Sequence, residues 1–308
     1  MFGLRQYIVK RFLQSLLAIL GAATVVFFII RLSGDPARLM LPPEASEEQV
    51  AALRESLGFN RPLLVQYLDY LKDMVTGNFG NSLYFKESAL QLVLERMPAT
   101  MDLAVSAILI AVVIGVTAGV VSAYKKNTFI DYLINIWIFI TQSLPVFWVG
   151  IVFIMIFANQ LHLFPTSGNN GLISLVLPAL TLAAYPIAPI ARTMRSSLMD
   201  VLQQSYMITN TAQGFSKRRM VLKRGLKNAL LPVVTVISLE FGVMIAGAVV
   251  TETIFSWPGV GQLIMQAVSN RDFPLVQASI LIISILYILI SFITDMVYLW
   301  IDPRIKVQ

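Results

Sequence analysis

Six apolar stretches, each near or above the length of a bilayer crossing, run through this chain of 308 residues. A helix needs about 20 apolar residues to cross roughly 30 Å of hydrocarbon. The stretches are Phe12–Ile30, Leu103–Ala123, Tyr132–Ala158, Leu172–Ala191, Leu230–Val250 and Val276–Ile301. The sequence therefore predicts an all-α integral membrane protein with about six transmembrane helices. The fourth helix, interrupted by Pro178, Pro186 and Pro189, is expected to be kinked and packed inside the bundle.

The composition fits a surface that faces lipid. Hydrophobic residues make up 57% of the chain, charged residues only 13%, and the mean hydropathy is +0.75. A soluble domain of this length needs more charge to cover its surface. The absence of cysteine and the single histidine, His162, exclude a disulfide framework, a thiolate metal site and a histidine-rich metal centre. We expect no metal site, and we expect His162 to lie solvated on an outer loop.

The basic residues predict the orientation of the chain. Arg5, Lys10 and Arg11 precede a first stretch that is long enough to span and lacks a small-x-small cleavage site, so we expect an uncleaved helix. With six spans, the N-terminal tail, the second-to-third connection, the fourth-to-fifth connection and the C-terminal tail share one side and carry most of the Lys and Arg. The positive-inside rule puts both termini in the cytoplasm. Because these charges flank apolar spans, the net charge of +6 does not indicate nucleic-acid binding.

The segment from residue 32 to residue 100 falls on the outer side and has helical spacing. Glu47–Leu57 is predicted as a helix capped by Ser46, and Leu63–Met74 as a second helix that ends before Gly77. A third short helix, Ala89–Arg96, is expected to lead into the second span. Two interpretations stay open: this helical cap only covers the bundle, or it helps to dock an external delivery protein.

The connection between the fourth and fifth spans is long, amphipathic and basic. Met199, Leu202, Tyr206, Thr209 and Ala212 recur at helical spacing, which predicts one helix that runs to Gln213. Gly214 is then a natural C-terminal stop, because glycine tolerates a left-handed backbone. On this pattern alone, a helix that fits a groove of a soluble partner and a helix that anchors to anionic lipid are equally good interpretations.

Motifs along the whole chain decide between these two interpretations of the connection. They are SGDPARLML (Ser33–Leu41), RPLLVQYLDYL followed by GNFGNSL in the outer segment, SLPVFWVGI (Ser143–Ile151), SYMITNTAQGFSKRRMVLKRGLKNALLPVVT, TETIFSWPGVGQL (Thr251–Leu263) and DPRIK (Asp302–Lys306). In order and spacing, the chain resembles the permeases of the dipeptide/oligopeptide class of ATP-binding-cassette importers. By this resemblance it comprises an N-terminal tail with the first helix (1–31), an external helical segment (32–100) and a permease core with five helices (101–308).

The resemblance implies a coupling segment, residues 196–228, that contacts an ATPase subunit. Its implied contact residues are Tyr206, Thr209, Ala212, Gly214, Lys217, Arg218 and Arg219. One departure stands out, since Ser205, Ile208, Asn210, Thr211 and Gln213 occupy positions where the family usually carries charges. The segment is then expected to dock by shape, with the Lys217–Lys227 cluster supplying the charged contacts.

The resemblance also implies the partners and the location. The chain would form a heterodimer with a second permease in a bacterial or archaeal plasma membrane, above one or two ATPase subunits and below an external binding protein. ATP and Mg would be bound by the ATPases, because this chain has no GxxxxGK[ST] loop and is not expected to be an enzyme. Peptides lead as substrates, while glutathione, nickel chelates, opines and oligosaccharides remain alternatives.

Five polar or aromatic residues are candidates for the substrate path. Glu240 lies midway along the fifth span, where it either attracts the α-ammonium group of a peptide or makes a hydrogen bond between helices. Gln142 and Ser143 interrupt the third span and either gate the path or bend the helix. Glu252 and Trp257 are expected at the outer mouth.

Two other classes of function fit the sequence less well. An intramembrane enzyme needs clustered catalytic groups at membrane depth, and no such set stands out within the spans. A secondary carrier often has inverted repeats, and none is apparent in the sequence.

Overall fold

The computed structural model describes residues 2–32, 34–41, 44–207 and 213–301. These residues are almost entirely helical, and the described part of the chain forms no β-strand beyond one isolated bridge between Asn81 and Ser88. The helices are α1 (Phe2–Leu32), α2 (Pro36–Met40), α3 (Glu47–Ser56), α4 (Leu63–Thr76), α5 (Ala89–Tyr124), α6 (Phe129–Ser143), α7 (Val146–Phe153), α8 (Leu172–Leu202), α9 (Lys217–Arg219), α10 (Leu226–Ile254), α11 (Val260–Ser269) and α12 (Phe273–Ile301). Two π-helical segments, Ile154–Gln160 and Met220–Gly225, follow α7 and α9.

The predicted membrane-spanning architecture is confirmed. Five helices, α1, α5, α8, α10 and α12, are long and apolar enough to cross a membrane. A sixth crossing is formed if α6 and the helix Val146–Gln160 count as one span, with a bend of 103° between them. The bend lies at Leu144 and Pro145, which separate the two helices, so the sequence correctly predicted an interruption next to Ser143.

The second span differs from its prediction. Instead of a short helix Ala89–Arg96 followed by a separate span, α5 runs without interruption for 36 residues across Pro98. Its first turns are held by packing, because Ala89, Leu92 and Val93 are buried in a cluster with residues of α11 and α12. A proline inside a helix loses one backbone hydrogen bond, and the burial of the turns on its N-terminal side offsets that loss.

The fourth span is longer than predicted. α8 covers 31 residues and stays one helix across Pro178, Pro186 and Pro189. It is the most buried of the five long spans, as the sequence led us to expect. A helix of this length extends about 46 Å, so its last turns continue well beyond a hydrocarbon layer of roughly 30 Å.

The chain forms two compact units. The first holds residues 1–100 together with residues 258–292, and the second holds residues 101–257 and the end of α12 from residue 293. The three regions expected from the sequence stay a prediction.

In the first unit, α3 and α4 carry the predicted cap and stop, and α4 packs on α1. The hydroxyl of Ser46 accepts from the backbone of Gln49, and the side chain of Gln49 accepts from the backbone of Ser46, which completes a capping box. α4 ends at Gly77 in a left-handed conformation. The rings of Tyr67 and Tyr70 in α4 lie 5.2 and 5.4 Å from the ring of Phe27 in α1.

The loop before α5 is fastened to the N-terminus of α12 in the same unit. Asp272, which is fully buried, accepts hydrogen bonds from the hydroxyl of Ser82, from the backbone of Tyr84 at 3.2 Å and from the backbone of Leu275 at 3.3 Å. Asp272 therefore caps α12 and holds the loop at the same time.

In the second unit, α5 approaches α8 closely at Gly119. A Cβ atom on Gly119 would lie 2.5 Å from the carbonyl oxygen of Ala191 and 2.6 Å from the Cβ of Met194. Only glycine fits at this crossing, as at other small-residue contacts between membrane helices.

Candidate functional site

The connection that follows α8 does not form the single helix that the sequence predicted. α8 ends at Leu202, and the backbone amides of Gln203 and Gln204 bond to Asp200 and Val201, three residues back. Such tightened bonds are typical of a terminating turn. Helical conformation resumes at residues 205–207. Of the predicted contact residues, Thr209 and Ala212 lie outside the described residues.

Two neighbouring residues attach this connection to the rest of the second unit. The exposed Tyr206 accepts a hydrogen bond at 2.9 Å from the side-chain amide of Asn228 in α10. Met207 is buried, and a Cβ atom built on Gly225 would lie 3.5 Å from its Cε and 3.0 Å from the Cδ1 of Leu198 in α8. Met207 and Leu198 therefore both lie against Gly225. The sequence analysis missed Met207, although an apolar residue in the polar run QQSYMITN was a usable signal.

Gly214 has the left-handed backbone expected of it, with a φ angle of 81°. No atom of the described residues lies within 4 Å of the position that its Cβ would occupy. Among these residues, a side chain at this position meets no obstacle, and its cost comes from the backbone conformation.

A basic cluster follows Gly214. The guanidinium groups of Arg219 and Arg224 lie 5.0 and 5.1 Å from the ring centroid of Phe215, a distance suited to cation–π attraction. Arg218 and Arg219 are exposed, and the backbone of Lys217 begins α9. Ser216 starts this turn, because its hydroxyl accepts from the backbone of Arg219 at 3.4 Å. The cluster thus presents positive charge to solvent beside Gly214.

Asp131, near the start of α6, joins α5, α6 and α8. Its carboxylate accepts from the hydroxyl of Ser122 in α5, from the backbone of Asn127 at 3.0 Å, from the side chain of Asn135 at 2.7 Å and from the guanidinium of Arg195 in α8. A buried carboxylate is stable only with such a set of donors. Asp131 was not singled out by the sequence, since a carboxylate at a span end reads as ordinary surface charge.

Glu240 lies in α10, where the sequence placed it. The residue is partly buried, and the Oε2 atom of its carboxyl group is enclosed without a hydrogen-bond partner among the described residues. No hydrogen bond from Glu240 to another helix is found among the described residues, and its two predicted roles stay predictions.

Gln142 and Ser143 lie at the end of α6, directly before the bend. The hydroxyl of Ser143 donates at 2.8 Å to the carbonyl of Phe139 one turn back. This bond satisfies the hydroxyl within its own helix, which fits the bending interpretation better than a gate.

Glu252 and Trp257 are enclosed by the chain itself. Glu252 is 0% exposed and Trp257 is 2% exposed, and the backbone amide of Trp257 donates to the carbonyl of Glu252 at 2.8 Å. In this conformation a solute cannot reach either side chain, so a direct contact with substrate needs a rearrangement of the turn after α10. His162 lies exposed on its loop, as expected.

α10 also carries an apolar face that the chain leaves uncovered. Leu239, Val243 and Val250 are exposed by 61%, 51% and 47%. They are joined by Ala246 and Gly247, and a Cβ atom at Gly247 would have no neighbour within 4 Å. Gly242, by contrast, is buried against the chain itself. The exposed stripe has the spacing and the small residues of a face that packs against another helix.

Comparisons with known families and proteins cover nearly the whole chain. A family model described as the binding-protein-dependent transport system inner membrane component matches residues 115–307, and the N-terminal model of such membrane components matches residues 4–104.

Curated relatives cover the chain to a similar extent. The dipeptide transport system permease protein DppB of Alkalihalophilus pseudofirmus is 37% identical, over 97% of this chain and 99% of the relative. The probable peptide ABC transporter permease protein y4tP of Sinorhizobium fredii is 39% identical, over 97% and 99%. The glutathione transport system permease protein GsiC of Escherichia coli K12 is 37% identical, over 97% and 98%.

A solved structure shares the fold at low sequence identity. A chain of the MetNI methionine ABC transporter in an inward-facing conformation aligns with a TM-score of 0.58 and 17% identity, over 69% of this chain and 97% of that chain. The helical core described above is therefore a known membrane-protein architecture.

Proposed function

This chain belongs to the family of binding-protein-dependent transport system inner membrane components, and on that premise we propose a function in peptide import. It is a multi-pass permease subunit of an ATP-binding-cassette importer of the inner membrane. In the proposed function it forms, with a second permease, the translocation path for di- and oligopeptides that an external binding protein delivers.

The relatives support peptides as the substrate class. Two of them are named as dipeptide or peptide permeases, and a third is named as a glutathione permease. Glutathione is itself a small peptide, so one path of similar size and polarity suits both. Glutathione therefore stands as the second candidate substrate.

The proposed partners meet the chain at separate surfaces. The exposed stripe of α10 is suited to a second permease, because lipid-facing glycine and alanine permit close helix packing. The connection with Tyr206, Gly214 and the arginines after it is suited to an ATPase subunit, which would bind ATP and Mg. Both termini are proposed to lie in the cytoplasm, as the positive-inside rule requires.

The length of α8 carries the mechanistic part of the proposal. One helix of 31 residues links the buried centre of the second unit to the connection that meets the ATPase. A push on that connection would reach α8 at Gly225, against which both Met207 and Leu198 lie, and Arg195, one turn before Leu198, would pass it to Asp131 in α6. ATP-driven closure of the ATPase subunits favours the outward-open or the inward-open state only if these contacts differ in free energy between the two states.

Reconstitution tests the proposal directly. Proteoliposomes that hold this permease with its partner subunits, and that receive the binding protein outside, should accumulate a labelled dipeptide only when ATP is enclosed in the lumen, on the side that the ATPase subunits face. Labelled glutathione in the same assay decides between the two substrate candidates. Equal uptake with nucleotide withheld would instead identify a secondary carrier and overturn the proposal.

A further inference from the structure

Arg31 lies two residues beyond the apolar span Ile8–Ile29, within the first unit. Its Nε and Nη2 atoms donate to the side-chain oxygen of Gln66 at 3.1 and 2.9 Å, and its Nη1 atom donates to the carbonyl of Phe27 at 3.4 Å. The guanidinium plane lies 3.6 Å from the ring centroid of Phe27. A guanidinium has five N–H groups, so one on each terminal nitrogen has no acceptor among the described residues.

The charge of Arg31 has no carboxylate partner in the part of the chain that the structure describes. The acceptors of its three hydrogen bonds are two neutral oxygens, the side-chain amide oxygen of Gln66 and the backbone carbonyl of Phe27. Burial lowers the pKa of Arg31 to about 10, so the group is still charged at neutral pH. Tyr70 is the titratable neighbour that acts on it, and burial raises the pKa of Tyr70 to about 12, so this phenol is neutral and compensates nothing.

Arg31 lines a polar cavity of about 470 Å³ on the outer segment. The cavity is bounded by α4, by the residues between α3 and α4 and by Pro274 and Gln277 of α12. Arg61 and Asp69, which also line it, form an ion pair with each other at 3.1 Å. The volume accommodates one or two side chains. Glu55, Asp73 and Lys72 also line the cavity, and Arg31 is a cation in its wall whose guanidinium bonds only to neutral oxygens.

We propose that this cavity receives an aspartate or glutamate side chain of the external binding protein, whose carboxylate pairs with the two unused N–H groups of Arg31. Two parallel N–H···O bonds from the terminal nitrogens are the geometry in which arginine binds a carboxylate most strongly. The inference rests on the proposed function, because it names the contact through which that function's delivery protein is held.

The surroundings favour a protein carboxylate over a lipid phosphate. Arg31 stacks on Phe27 and is covered by Gln66 of α4, so it faces a cavity bounded by protein side chains. Glu55 and Asp73, which also line the cavity, repel a phosphate and a carboxylate alike, but a lipid phosphate would have to bring its glycerol and acyl chains into the same volume. A single side chain on a docking protein enters such a cavity without moving α4.

The experiment measures docking of the purified binding protein to the complete transporter in nanodiscs by biolayer interferometry. Arg31→Gln should weaken docking about tenfold, for the peptide-loaded and the empty binding protein alike. Arg61→Gln is the matched control, since it removes an arginine from the same cavity that already has a carboxylate partner, and it should change affinity by less than about twofold. Nanodiscs of zwitterionic lipid and of anionic lipid should give the same ratio between variants.

A charge-reversal experiment on both proteins controls for a folding defect of the permease variant. Arg31→Glu should abolish docking, and a binding protein in which the matching acidic residue is replaced by arginine should restore it, which a misfolded permease cannot do. Failure of every acid-to-arginine change on the docking face to restore Arg31→Glu overturns the proposal, as does wild-type affinity of Arg31→Gln.

Three further outcomes also decide the question. Equal weakening of docking by Arg31→Gln and Arg61→Gln would indicate general electrostatic steering. A loss of docking confined to anionic nanodiscs would indicate a lipid headgroup, and a loss confined to the loaded binding protein would indicate the peptide's own carboxylate. Each of these three outcomes overturns the proposal. If wild-type transporter docks the binding protein but shows no ATP-driven uptake, the proposed function fails while the comparison of Arg31 variants still stands. No docking by wild type overturns both.

Discussion

Arg195 in α8 forms a two-pronged ion pair with Asp131 in α6, with 3.1 Å between Nε and Oδ1 and 2.9 Å between Nη2 and Oδ2. The pair joins residues 64 positions apart in sequence. Because Asp131 also accepts from Ser122, the ends of α5, α6 and α8 are held by one carboxylate. All three ends lie on the side that the basic residues predict to be cytoplasmic, next to the connection with Tyr206 and Gly214.

Asp131→Asn should destabilise the second unit and weaken coupling. The side chains of Asp131 and Arg195 are 6% and 25% exposed, and loss of one partner of a buried pair costs about 3–5 kcal/mol, of which roughly 2–3 is expected after allowance for the partly exposed arginine. The measurement is the thermal unfolding midpoint of the purified complex. Asp69→Asn, in a pair with 62% and 51% exposure, is the control and should cost less than about 1 kcal/mol. Equal shifts in the two variants would contradict the assigned role.

Gly214→Ala should reduce coupling without preventing membrane insertion. The left-handed conformation of Gly214, at φ 81°, costs a residue with a Cβ about 1–2 kcal/mol. We therefore expect the stimulation of ATPase activity by the loaded binding protein to fall about threefold or more. Gly168 is a matched control, with φ 84° and equally open surroundings on a different loop, and Gly168→Ala should leave the stimulation unchanged. Normal stimulation in Gly214→Ala would argue against the coupling assignment.

Glu240→Gln should leave peptide uptake within about twofold of wild type. The enclosed oxygen of Glu240 has no donor among the described residues, and an amide of the same shape removes the cost of a carboxylate at membrane depth, about 2.5–3.5 kcal/mol on insertion scales. The readout is the initial rate of ATP-dependent uptake, with the thermal midpoint as a folding control. A loss of tenfold or more at an unchanged midpoint would instead show that the charge attracts the peptide ammonium group.

Asp272→Ala should loosen the outer loop of the first unit. The substitution removes the acceptor for Ser82, Tyr84 and Leu275, all of them in buried or partly buried bonds. A buried donor left unsatisfied costs about 1–3 kcal/mol, so amide hydrogen exchange in the loop around Ser82 and in the first turn of α12 should speed up at least tenfold. Ser82→Ala removes one donor and should have a smaller effect. Unchanged exchange in Asp272→Ala would mean that other contacts hold the loop.

Local features of the fold were readable from the sequence. The cap at Ser46, the stop of α4 at Gly77 and the interruption beside Ser143 were each predicted and found. Caps and stops depend on residues within one or two turns, so a short stretch of sequence contains their causes. The candidate contact residues of the ATPase connection stay a prediction, with Thr209 and Ala212 outside the described residues.

Features that depend on distant neighbours were not readable. α5 continues across Pro98 because α11 and α12 cover its first turns, and Met207, after the break of the helix at Gln203, lies against Gly225. The burial of Trp257 and Glu252 was not expected from the sequence, and their place at an outer mouth stays a prediction. In each case the partner lies far away along the chain or is defined only once the helices pack.

The sequence by itself determined that this is a membrane protein with five or six apolar spans, and it predicts which side its basic loops prefer. Those properties follow from the transfer of each segment between water and lipid, and that free energy depends on the segment alone. The tertiary structure decided which charges are compensated, for example Asp131 by Arg195, and which are not, as at Arg31. Compensation is a property of pairs, and pairs exist only after the helices have packed.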